Sequence, residues 1–173
     1  MWLRQRLRLR ARSSLAAAAL LAAATSGSAM AQTPGLHNEP QPGCTLQLHE
    51  HRSGLELLRL PLPPGTAPQL QLAFTHSVLG TPVQDHYIWA AGAWHLVEEQ
   101  FEGEGYGLPH MAAAGETLQR HGDGWRLLLN RTVAPLVVRP LPALQMRLLL
   151  PDGRQWLLGS LSTAALEVTL SDC

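Results

Sequence analysis

The sequence predicts an all-β fold, an antiparallel β-sandwich or partly open β-barrel of about nine short strands with at most one short helix. Three observations carry that expectation. Apolar and polar residues alternate with period two, most cleanly in Gln69-Leu70-Gln71-Leu72-Ala73-Phe74-Thr75-His76, and that period marks a strand with one face buried. Turn residues punctuate the alternating runs at Pro63-Pro64-Gly65, Leu79-Gly80-Thr81, Ala91-Gly92 and Pro151-Asp152-Gly153. Only residues 109–118 have helical character, with a proline in the first turn and an alanine triplet cut short by Gly115.

The first 31 residues stand apart from that pattern. Arg4, Arg6, Arg8, Arg10 and Arg12 form a basic leader, residues 13–24 an apolar stretch of mostly Ala and Leu, and Ala29-Met30-Ala31 fits the small-residue cleavage site of a secretory signal peptide. The apolar stretch falls short of the roughly 18 residues that a membrane span needs. No adjacent arginine pair points to the twin-arginine route. Cys44 lies too far beyond the apolar stretch to be a lipidation site. Residues 32–43, rich in Pro, Gly, Asn and Gln, read as a flexible arm. A single β domain then runs from 44 to 173. Its strands are expected at 45–49, 55–62, 69–76, 83–89, 94–101, 124–130, 145–150, 154–158 and 166–170, with Pro151-Asp152-Gly153 turning a hairpin between the seventh and eighth.

The whole chain of 173 residues is 46% hydrophobic and 15% charged, enough to bury a core and too apolar for a disordered chain. Its formal charge of zero averages two unlike parts. Of the 13 arginines (there is no lysine) five belong to the leader, whereas none of the 13 acids does. Cleavage after Ala31 therefore leaves a domain with eight arginines against 13 acids, a formal charge of −5. Such a domain is no partner for nucleic acid or for an anionic membrane surface, and no membrane span remains in it. The leader predicts export from the cytoplasm to an oxidising compartment. There a lone cysteine pair is expected to be bridged, so Cys44 and Cys173 would close nearly the whole domain. The loop-entropy contribution of such a bridge is at most about 5 kcal/mol.

Three places could carry chemistry. In Thr75-His76-Ser77-Val78, neighbouring side chains on a strand diverge, so His76 and Ser77 do not make a nucleophile pair; a core-facing His76, with Ser77 capping a turn, fits better. In Pro82-Val83-Gln84-Asp85-His86-Tyr87, a hairpin with the preceding strand would bring Asp85 directly or diagonally opposite His76. That pair could act as a general base, as half a metal site, or as a structural clamp. Gly103-Glu104-Gly105-Tyr106-Gly107-Leu108-Pro109 has the wrong spacing for a phosphate-binding loop and follows an acidic run. It reads instead as a shaped loop that holds Glu104 and Tyr106 outward to a ligand or partner. His49-Glu50-His51 would put two rings on one strand face, but no third ligand stands at a diagnostic spacing. No catalytic constellation, metal site or cofactor is assigned from these residues. The binding candidates are His76, Ser77, Asp85, Glu104, Gly105, Tyr106, Gly107 and Pro109.

The ordered combination of Phe74-Thr75-His76-Ser77-Val78, Pro82-Val83-x-Asp85-x-Tyr87, Gly105-Tyr106-Gly107-Leu108-Pro109 and Asp123-Gly124-Trp125 resembles the DUF1850 family of small exported bacterial proteins. Asp85 stands where that family usually has Glu, and Tyr106 where it has Ala. The resemblance implies an association with tripartite ATP-independent periplasmic (TRAP) transporters that use TAXI-type solute receptors. The expected role is thus a periplasmic binding or accessory module whose partner is the receptor or permease, with a small-molecule ligand left open. The alternatives are a small hydrolase or metalloenzyme built on His76 and Asp85, and a purely structural envelope protein.

Overall fold

The structure, a computed structural model, describes residues 43–173. The expected leader, and the arm except Gly43, lie outside the described residues. Eleven strands form in chain order: β1 (Thr45–Glu50), β2 (Glu56–Pro61), β3 (Gln69–Thr75), β4 (Pro82–Ala90), β5 (Ala93–Phe101), β6 (Thr117–His121), β7 (Gly124–Val133), β8 (Leu136–Val138), β9 (Arg147–Leu149), β10 (Gln155–Leu157) and β11 (Leu166–Ser171). They make a four-stranded sheet in the order β2-β1-β11-β8 and a seven-stranded sheet in the order β10-β9-β3-β4-β5-β7-β6. Each pairing is antiparallel. The protein is an all-β sandwich.

All nine expected strands form, and β6 and β8 are additional. The helix expected over 109–118 does not form. Residues 112–114 are exposed and give a helix no apolar face to bury, and Gly115 takes a positive φ of 83°. A helix of about ten residues without such a face is marginal in water. Thr117 and Leu118 join β6 instead, and the only α-helix among the described residues is the single turn α1 (Leu158–Leu161).

Between the sheets, β1 contributes Leu46 and Leu48 and β11 contributes Leu166 and Val168; the larger sheet adds Leu70, Leu72, Trp94, Leu127 and Leu148, all almost fully buried. Trp94 stitches the layers together, its indole Nε1 donating to the Val168 carbonyl at 3.0 Å. Cys44 and Cys173 are disulfide-bonded across 129 residues of chain. The bridge sits beside the Thr45↔Ser171 pair of β1 and β11, so the first and last strands are locked both by ladder and by covalent bond. Hairpin chemistry sets the register of the larger sheet. Ala91 and Gly92 both have positive φ between β4 and β5, the backbone twist that matches two right-twisted strands. At the β6–β7 turn Gly122 alone does so, and Asp123 follows it.

Candidate functional site

The β3–β4 turn is built around His76. Its backbone N–H donates to Thr81 O at 2.8 Å and its carbonyl accepts from Gly80 N at 2.9 Å. Its ring Nδ1 accepts from the backbone N–H groups of Val78 and Leu79, at 3.3 and 3.2 Å. A ring nitrogen that accepts two such bonds carries no proton of its own. His76 is therefore the cap of the turn, half-buried; Ser77, expected to do the capping, is exposed.

The pairing expected between His76 and Asp85 does not occur. The β3–β4 register sets Asp85 opposite Leu72 and ends at Thr75↔Pro82. His76 is thus four residues further along, roughly 13 Å at the rise of a strand. The turn spans residues 76–81 and is centred between Val78 and Leu79, two residues earlier than a pairing of His76 with Asp85 requires. Asp85 looks instead across to β5, where Glu99 is its partner. The Tyr87 hydroxyl donates to Asp85 Oδ2 at 3.5 Å, while Asp85 Oδ1 and Glu99 Oε2 are buried with no hydrogen-bond partner. Burial, then the facing Glu99 charge, pushes the Asp85 carboxyl up to about 7. Glu99 is likewise raised, by burial first and by Glu116 among its neighbours, with Arg131 opposing. Tyr87 is driven well above the ordinary phenol value by burial and the same carboxylates.

The glycine-rich segment opens the 102–116 loop between β5 and β6. Gly103, Gly105 and Gly107 have positive φ, as does Tyr106 at 52°. Leu108 N donates to Gly105 O at 3.1 Å to close a turn. Leu108 is buried in the core and Pro109 half-buried, whereas Glu104, Gly105, Tyr106 and Gly107 face solvent, Tyr106 at 72% exposure. This loop touches the His76 turn. Thr81 Oγ1 donates to Glu102 O at 2.8 Å, and the Leu79 side chain lies so close to Gly103 that a Cβ there would stand 2.9 Å from Leu79 Cδ1. The β6–β7 hairpin completes the same end. A Cβ on Gly124 would run into the Phe101 carbonyl oxygen and the Glu102 side chain, so the glycine of Asp123-Gly124-Trp125 is required by the approach of β5. Between these elements opens a groove of about 320 Å³ lined by Gln84, Gln100, Glu102, His121, Asp123 and Trp125, among others.

Of the expected site residues, the structure brings His76, Ser77 and the 104–109 segment to one end of the sandwich. Asp85 lies on a different surface, inside, facing Glu99. His49 and His51 also part: β1 ends at Glu50, and the His51 ring, in the turn beyond it, pairs with Glu167 at 2.8 Å. Among the described residues no three His, Cys, Asp or Glu side chains gather around a common point.

Residues 70–157 match the model of a family described as a domain of unknown function, DUF1850. The chain belongs to the DUF1850 family. The match takes in the His76 turn, Asp85, the glycine-rich loop and the β6–β7 hairpin, which are the elements that build this end of the DUF1850 domain and its internal carboxyl pair. No curated protein and no solved structure matches the chain.

Sequence reasoning did not find Glu99, Glu116 or Arg131. One signal for Glu99 was present: it stands two residues before the buried Phe101, on the apolar side of β5. Glu116 and Arg131, joined by an ion pair at 2.6 Å, are distant in sequence and meet only through the fold.

Proposed function

We propose that the protein is an exported, periplasmic binding module that serves a TRAP transporter with a TAXI-type receptor, contacting the receptor or permease through the end that carries the His76 turn and the 102–116 loop. One observation carries the docking part of this reading. Of the five large apolar side chains exposed among the described residues, Val78 (61%), Tyr106 (72%) and Met111 (68%) belong to the two loops that touch there. Exposed apolar side chains gathered on adjoining loops beside a polar groove are typical of a surface that is covered by another protein. The transporter part rests on the family resemblance. The compartment is supported by the leader sequence and by the disulfide, which persists where the surroundings are oxidising.

The hydrolase reading finds less support. His76 spends its Nδ1 on two backbone donors, and Asp85 is turned toward Glu99 rather than toward a histidine. The test of the docking reading is site-specific photocrosslinking in intact cells, with the reactive residue placed at 106 or 111 and, as a control, at 152 on the β9–β10 turn. Adducts to the receptor or permease from 106 and 111 but not from 152 are the expected result. Equal labelling from all three, or none from 106 and 111, removes the docking end, and the absence of any adduct returns the protein to a structural envelope role.

A further inference from the structure

The carboxyl pair on the inner face has no use in the docking reading. Asp85 and Glu99 are direct cross-strand partners, a placement that holds side chains about 5 Å apart at Cβ. Each has a buried oxygen that nothing satisfies. Two carboxylates so placed do not both ionise without a large penalty. The groups around them divide simply. Leu72 on β3 and Leu127 on β7 flank the pair in the same row and are apolar and buried. Tyr87 on β4 donates its hydroxyl to Asp85. The charged neighbours are Glu116, where the 102–116 loop runs into β6, and Arg131 on β7, and both act on Glu99. Glu116 ties the end of the loop in two ways: it is ion-paired with Arg131, and it accepts from the Ala113 backbone N–H at 3.1 Å.

We propose that one proton shared by Asp85 and Glu99 holds the 102–116 loop in place, and that losing this proton to solvent releases the loop. While the proton is bound, the four groups Asp85, Glu99, Glu116 and Arg131 carry a net charge of −1. When it leaves they carry −2. The added charge repels Glu116 and offers Arg131 a second carboxylate, so it weakens the ion pair that anchors the end of the loop. Burial raises both carboxyls, which brings the exchange toward neutral pH, where an exported protein is exposed to changes in its surroundings. The device regulates the surface assigned above to docking and rests on that reading for its purpose, but its operation needs no partner.

Hydrogen exchange on the whole mature protein, corrected for the intrinsic pH dependence of exchange, tests it. The hydrogen-bonded amides of Leu108, Ala113 and Glu116 report on the loop, and those of β4 and β5 on the rest of the sheet. Going from pH 6 to pH 8, the loop amides should lose protection by up to about tenfold per pH unit, the limit for a single linked proton, while the strand amides keep theirs. Asp85→Asn should hold the loop protected at both pH values; if that variant does not fold, Glu99→Gln serves in its place. Glu116→Gln should release the loop at both. Loop protection that is indifferent to pH in the unaltered protein, or a pH response that survives in Asp85→Asn, overturns the proposal. Since no partner is present, either result leaves the docking reading standing, and a failure of the crosslinking leaves this one standing.

Discussion

The two parts of the larger sheet's inner face differ in what covers them. Near β3 and β9 the buried residues are leucines, and Trp94 on β5 sends its one polar group to the opposite layer. Four strands cannot cover seven, and around Asp85, Glu99 and Arg131 the 102–116 loop contributes its ion-paired end, Glu116. Two packed sheets interdigitate side chains at fixed spacing, and a polar one buried between them needs a partner within that spacing. A loop brings backbone and long side chains that can meet carboxylates. The first region therefore decides whether the domain folds, and the second is free to hold a charge pattern that folding alone would select against.

The largest expected effect falls on the four-stranded sheet that covers the first region. Cys44→Ser with Cys173→Ser should lower stability by about 2–5 kcal/mol, since the bridge closes a loop of more than a hundred residues. Denaturant unfolding of the double variant, compared with the unaltered protein in the presence and absence of reductant, checks this. A loss below about 1 kcal/mol would mean that the β1–β11 ladder already holds the two ends together without the bond.

The second region should reveal itself by pH. Asp85 has an ordinary value near 3.8 and a folded value of about 7. Between these the folded chain keeps a proton that the unfolded chain has released, so stability falls as pH rises through that window, by at most about 1.4 kcal/mol per pH unit. Above the window the loss is complete, and below it the effect vanishes. Asp85→Asn should flatten the curve and be the more stable protein at pH 8, as chemical denaturation at several pH values would show. A curve that keeps its slope in the variant would move the effect to another group.

Gly124→Ala should act between the two regions. Its methyl would meet the Phe101 carbonyl and the Glu102 side chain, forcing β5 and β7 apart at the groove, at a cost of about 1–3 kcal/mol. Amide shifts confined to β5, β7 and the β6–β7 turn would confirm that the strain is local. Changes that reach β1 and β11 would show that the strain crosses to the covering sheet.

The difference between the regions also explains what could be read from the sequence. Strands such as β3 and β5 announce themselves because a covering sheet imposes alternation, and the Pro151-Asp152-Gly153 turn does so because its backbone chemistry is local. β8, three residues long, is too short for a period to show, and β6 lies in a run whose alanines imitate a helix. The His76–Asp85 pairing failed for want of one quantity, the position of the turn's centre. A turn centred on residues 78 and 79, rather than on 80 and 81, sets Asp85 opposite Leu72 whatever its length. Glu98 and Glu99 are adjacent in an acidic run, yet one faces outward to Arg126 and Gln100 and the other inward to Asp85. Strand parity would have separated them, but the bulge between Leu96 and Glu98 shifts that parity, and a bulge leaves no mark in composition. The glycine-rich loop was legible as a shaped loop because positive φ demands glycine; what it touches was not.

The smallest expected change in stability tests the docking surface most directly. Tyr106 is exposed and has a φ of 52°, a conformation that glycine adopts without the penalty a larger residue incurs. In Tyr106→Gly the ring disappears and the backbone is relieved, while the unfolded chain gains freedom. These terms oppose each other, so the net change should stay within about 1 kcal/mol. Capture of the receptor or permease from position 111 should nevertheless fall by at least about tenfold, as loss of an exposed aromatic anchor predicts. Stability and docking would then separate at one residue, which is expected of a side chain kept for a partner. If instead stability falls with capture, Tyr106 packs against its own domain, and the docking surface must be sought at Val78 and Met111.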